Sequence, residues 1–154
     1  MKEKFMQKAI DLSIESVKNG GGPFGAVIVK DGEIIASSTN SVTKDNDPTA
    51  HAEVNAIRKA AAKLGRFDLS DCEIYSSCEP CPMCLGAIYW AKINTLYFAN
   101  NKNDAKNIGF DDSFIYEEIE KPYELRKMKI TQLMRNEALV AFKLWEQKDD
   151  KIEY

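Results

Sequence analysis

Apolar residues return every third or fourth position from Phe5 to Val17, through Ala9, Ile10, Leu12 and Ile14. This period predicts an amphipathic helix over residues 2–18, stopped by Asn19 and the run Gly20-Gly21-Gly22. The pattern then changes. Phe24 to Lys30 is almost continuously apolar and reads as a buried strand, Asp31-Gly32 is a tight-turn signal, and Glu33 to Thr39 is the hairpin partner. Asn40 to Asp47 is a polar loop. Asp47-Pro48 offers an N-cap followed by proline in the first helical position, which predicts a second helix running to about Leu64 and stopping at Gly65. Cys72 to Ser77 reads as a short strand, Pro80 opens a third helix to about Ala91, and Asn94 to Ala99 is another strand. Residues 101–112 are polar and have no assigned shape. Ser113 to Glu120 reads as a short helix, residues 125–131 as a fifth strand or a loop, and Gln132 to Lys148 as a helix carrying Leu133, Leu139, Val140, Phe142 and Trp145.

Strands alternating with helices imply an α/β domain with helices on both faces of one sheet. The 154 residues fit a single domain spanning 1–154. A net charge of −3 gives no overall basic footprint, so a nucleic-acid partner is not expected. No run approaches the ~18 apolar residues of a membrane span, and the amphipathic start lacks the apolar stretch of a signal peptide. Both features predict a cytoplasmic protein without a membrane partner.

The chemistry concentrates in two short segments. His51-Ala52-Glu53 contains the only histidine of the chain, and Cys81-Pro82-Met83-Cys84 follows about thirty residues later behind Pro80. The four cysteines Cys72, Cys78, Cys81 and Cys84 cluster within thirteen positions, which suits a metal better than a disulfide framework. His51, Cys81 and Cys84 offer three zinc ligands, and a zinc with three protein ligands keeps a fourth position for water. Residues two apart on a helix point about 200° away from each other, so His51 and Glu53 cannot share a helix flank and the metal belongs over the helix mouth. Glu53 then stands as a general acid/base candidate beside that water. A closed structural site formed by Cys78, Cys81, Cys84 and His51 is the alternative, although it leaves Glu53 unused. In the catalytic reading Cys72 and Cys78 are small core residues.

These motifs resemble the cytidine deaminase superfamily. Gly21 to Val29, Asn46 to Val54, Ser77 to Ala91 and Gly109 to Tyr116, with the terminal Glu153-Tyr154, make the chain look more narrowly like the small bacterial guanine deaminases. The resemblance implies a cytidine deaminase-like α/β/α fold with one mixed sheet and one Zn²⁺ per subunit. It also implies hydrolysis of guanine to xanthine and ammonia, with metal-activated water attacking C2 of the purine and Glu53 as proton shuttle. It further implies Asp112 as a second catalytic carboxylate, Asn40 and the Ala52 backbone as partners of the purine edge, Phe24 against the ring, and Tyr154 closing the pocket. Similar enzymes are homodimers that exchange a C-terminal segment, here about 132–154, which would bring Tyr154 to the partner's site. Plainer readings exist: Asp111-Asp112 as a solvated turn, Asn40 as a turn residue, Phe24 and Trp90 as packing, Tyr154 as a frayed end.

Three other functions fit parts of this pattern. A tRNA adenosine deaminase shares both zinc motifs, but the C-terminal helix here ends Glu146-Gln147-Lys148-Asp149-Asp150 and is not basic. A deaminase of another free heterocycle, such as cytosine, would use the same open metal site. A non-catalytic zinc-stabilised module would lose its fold with its metal.

Overall fold

The computed structural model describes all residues, 1–154, as two compact units, Met1–Ser113 and Phe114–Tyr154. The first unit holds helix α1 (Lys2–Lys18), strands β1 (Gly25–Lys30) and β2 (Glu33–Thr39), the one-turn helix α2 (Val42–Asp45) and helix α3 (Ala52–Leu64). Strand β3 (Cys72–Cys78), helix α4 (Pro82–Trp90), strand β4 (Thr95–Asn100) and helix α5 (Lys102–Asn107) complete it.

The four strands form one sheet in the order β2-β1-β3-β4. β1 pairs antiparallel with both β2 and β3, while β3 and β4 run parallel, so the sheet is mixed. The hairpin turn carries positive φ at both Asp31 and Gly32, the signature of a primed turn whose twist matches its strands. β1 is buried on both faces because its alternate residues feed two cores. Ala26 and Ile28 pack with Ala52, Ala56 and Ala60 of α3 and Ile88 of α4, whereas Val27 and Val29 pack with Phe5 of α1 and Tyr75. The result is three layers, with α1 on one face of the sheet and α3 and α4 on the other. Alanines at every fourth position let α3 lie close to the strands. On the opposite face a side chain at Gly25 would strike the Ala9 carbonyl, so glycine sets the approach of α1.

The structure moves two helix starts. Asp47 does not cap α3. Its carboxylate accepts from the Thr49 amide at 2.8 Å and its carbonyl accepts from the Ala50 amide, which closes a turn around Pro48. The N-cap is His51, in extended conformation. Likewise Pro80 does not open α4: Cys81 is the N-cap and Pro82 occupies the first turn. Residues 101–112, unassigned from sequence, begin with α5, capped by a reciprocal pair in which Asn101 accepts from the Asp104 amide and Asp104 from the Asn101 amide. Part of the expected polar loop after Asn40 forms α2.

The second unit contains helix α6 (Ser113–Glu120, starting at the unit boundary), a 3₁₀ turn at Tyr123–Leu125 and helix α7 (Arg135–Gln147). No fifth strand forms at 125–131, and α7 begins three residues later than the pattern predicts. No residue of 114–154 is buried, although Val140, Phe142, Leu144 and Trp145 all lie on α7. No helix is long and apolar enough to cross a membrane.

Candidate active site

The two displaced helix starts define the site. As N-caps, His51 and Cys81 lie just outside their helices, where extended backbone turns each side chain across its helix mouth. The 200° problem between His51 and Glu53 therefore disappears: one residue precedes the helix and the other is in its first turn. Cys84, in the first turn of α4, is fully buried. His51 Nδ1 stands 3.6 Å from Cys81 Sγ and 3.4 Å from Cys84 Sγ. All three donor atoms lie within 4.8 Å of one another. Two sulfurs and an imidazole nitrogen converging in this way fit a zinc ion, which favours thiolate and imidazole ligands.

Local electrostatics prepares Cys81 as a ligand. The Cys84 thiol donates to Cys81, and this bond, helped by His51, holds the Cys81 thiol at about 4. The resulting thiolate pushes the His51 imidazole up and, with burial, the Cys84 thiol up as well. Both helix mouths add positive potential, which favours thiolate. Cys78 behaves differently. Burial pushes its thiol up to about 11, and its sulfur is 4.0 Å from the Asn101 carbonyl, outside the ligand cluster. The closed four-ligand alternative is thus not assembled. Cys72 is buried in the core beneath α3 and α4, as expected of a small core residue.

Glu53 is 5% exposed and stands beside the cluster. Burial raises its carboxyl pKa, partly offset by the neighbouring Cys84 thiol and Ser76 hydroxyl. The Ser76 hydroxyl is 3.0 Å from Glu53 Oε1. The amide of Ala52 belongs to the first turn of α3, where N–H groups have no intrahelical acceptor.

Phe24 and Asn40 both flank Gly22. The Asn40 side-chain oxygen accepts from the Val42 amide at 3.0 Å, so its amide nitrogen is the part it can offer elsewhere. Phe24 meets Phe110 edge to face at 4.9 Å between centroids. The twin aspartates diverge. Asp111 is exposed and accepts from the Ser113 amide at 2.9 Å. Asp112 is half-buried, and burial together with the charge of Cys81 raises its carboxyl pKa. Tyr154 ends the second unit, 73% exposed, and Trp90 at the end of α4 is also exposed. The sequence reading gave no role to Phe110 or Ser76. Ser76 leaves a trace there, beside Ser77 as a polar pair near the end of a strand buried along most of its length.

Comparison with known proteins extends this picture. Residues 1–100 match the model of the cytidine and deoxycytidylate deaminase zinc-binding region. A guanine deaminase of Bacillus subtilis is 56% identical over 153 residues, 99% of this chain and 98% of that one. An X-ray structure of guanine deaminase from Bacillus subtilis superposes with a TM-score of 0.95 at the same identity, and also covers 99% of this chain and 98% of that one. A guanine deaminase structure from Nitrosomonas europaea gives a TM-score of 0.70 at 36% identity, covering 73% of this chain and 65% of that one. A tRNA-specific adenosine deaminase of Aquifex aeolicus is 42% identical over 98 residues, 64% of this chain and 65% of that one.

Proposed function

Since the chain belongs to the cytidine and deoxycytidylate deaminase zinc-binding family, we propose that it is a zinc-dependent hydrolase that converts guanine and water to xanthine and ammonia. The observation that carries this reading is the level of similarity together with its reach. A guanine deaminase is 56% identical through 99% of the chain, whereas tRNA-specific adenosine deaminases are 42% identical over 64% of it, or 36% identical over 87%. The region beyond residue 100, which holds Phe110, Asp112 and Tyr154, lies outside the shared zinc-binding region.

His51, Cys81 and Cys84 hold the metal. Zinc in that setting supplies Lewis-acid activation of water at neutral pH. Glu53, buried beside the cluster, takes the proton from water as its oxygen joins C2 of the purine. It gives that proton to a ring nitrogen, and then carries the remaining proton of the oxygen now on C2 to the amine, which departs as ammonia as the C2 carbonyl forms. Burial suits this role, because a raised carboxyl pKa lies nearer the operating pH. Asp112 stands at the exocyclic amine as the second carboxylate. The Ala52 amide and the Asn40 side-chain amide face the purine edge, and Phe24 lies against the ring.

We place the enzyme in the cytoplasm, where thiols stay reduced and available to zinc. Residues 1–154 act as one deaminase domain, whose segment about 132–154 passes to a second copy in a homodimer. An apolar load on α7 with no buried residue in 114–154 supports this arrangement, because patches of that kind mark interaction surfaces.

An ammonia-release assay over guanine, cytosine, adenine, cytidine, guanosine and a tRNA anticodon loop tests the substrate. Guanine is expected to give the highest kcat/KM. Preference for the anticodon loop or for cytosine would transfer the function to that substrate class.

A further inference from the structure

β3 contains two adjacent serines, Ser76 and Ser77, where a strand buried on both faces would ordinarily carry apolar residues. Ser77 has a structural reason to be there: its hydroxyl oxygen accepts from the Gly25 amide at 3.0 Å, on the strand next to it. Ser76 is 0% exposed and faces the other way. Its hydroxyl lies 2.7 Å from the Cys78 carbonyl and 3.0 Å from Glu53 Oε1. The hydroxyl has one proton for two acceptors, so it donates to one at a time; the carbonyl alone would satisfy it, and the approach to Glu53 calls for another explanation.

We propose that Ser76 is a positioning residue for Glu53, fixing its carboxylate between β3 and the mouth of α4 so that one oxygen meets the reacting water and purine. This role rests on the deaminase reading above. Glu53 reaches the site on a side chain with three rotatable bonds, and only a specific partner removes that freedom. The partner is itself held, because Ser76 sits in the middle of the sheet, paired with Ala26 and Phe98. A hydroxyl is also the one small group that both donates and accepts. It can serve a proton shuttle that gains and loses a proton within each turnover, while neither backbone moves. Alanine offers no such bond, and a thiol makes only a weak one.

A double-mutant cycle on the zinc-loaded protein tests this, using whichever base of the panel the wild-type chain turns over best. Ser76→Ala is expected to lower kcat roughly 10-fold, the scale of one lost hydrogen bond to an ionised group. KM and zinc content should stay at wild-type values. In the Glu53→Gln background the same substitution should change kcat by less than about 2-fold, because coupled residues do not add. Ser76→Cys, which refills the volume, should lose rate as Ser76→Ala does. An equal loss in both backgrounds, a loss appearing in KM or zinc content, or wild-type kcat in Ser76→Cys would overturn the assignment. A best substrate other than guanine would refute the substrate reading alone, since the cycle is scored on Glu53 whatever base is used.

Discussion

At the scale of single residues the site separates side chains that look equivalent in the sequence. Four cysteines divide into two ligands and two core residues, and the division follows position: Cys81 and Cys84 face a helix mouth, whereas Cys72 and Cys78 belong to a strand. Asp111 and Asp112 divide by partner, one spent on the Ser113 amide and the other half-buried within reach of the Cys81 charge. This makes substitutions at Glu53 and Asp112 informative. Glu53→Gln keeps shape and a hydrogen-bonding oxygen but cannot carry a proton between atoms. Steady-state ammonia release should fall at least ~10²-fold, the low end for general acid–base catalysis, while metal analysis finds zinc retained. Near-normal turnover would remove the shuttle role. Asp112→Ala should lower kcat/KM for guanine without releasing zinc, because its carboxylate is not among the clustered ligand atoms. Unchanged kcat/KM would return Asp112 to the solvated turn that its neighbour Asp111 occupies.

At the scale of elements, hydrophobic period located every strand of the sheet and the long helices, and it misplaced the two helix starts that matter most. At α3 the physical reason lies in the proline. Proline fits the first helical position and the second position of a turn equally well, because both need its fixed φ. Pro48 was free to join a turn with Asp47, which left His51 to cap α3. The motif spacing survived this error, since three ligands and a carboxylate are legible as residue types wherever the helix begins. Their convergence was legible from the motifs, but not the route to it, which depends on the antiparallel pairing of β1 with β3 and the parallel pairing of β3 with β4. The N-cap position gives a clean separation of structural and chemical roles at Cys81. Serine is a preferred N-cap residue, so Cys81→Ser should leave α4 and the thermal midpoint nearly unchanged. Zinc affinity should fall by more than the roughly 10–100-fold that follows loss of an outer-shell partner. Titration with a zinc chelator measures the second effect and a thermal melt the first. A large drop in midpoint with zinc retained would show that the thiolate serves the fold and not the metal.

At the scale of the molecule, the fold of the first unit does not lean on the metal. Its two cores lie on opposite faces of the sheet, and neither includes His51, Cys81 or Cys84. Prolonged chelation should therefore abolish ammonia release while far-UV circular dichroism keeps its helical signal, and restored zinc should restore the rate. Loss of the fold along with the metal would identify a structural zinc instead. The tail poses a different question, because exchange predicts that Tyr154 completes the site of the partner subunit and not its own. Two impaired chains answer it: Glu53→Gln with an intact tail, and a chain lacking residues 151–154 but retaining Glu53. After subunit exchange, a mixed dimer holds one site with a functional Glu53 that receives the intact tail of the other chain. If the tail crosses, equimolar mixing restores activity towards roughly a quarter of the wild-type value, since half the dimers are mixed and each has one whole site. If each tail serves its own subunit, no complete site can form in any dimer, and the mixture stays at the average of its two parents.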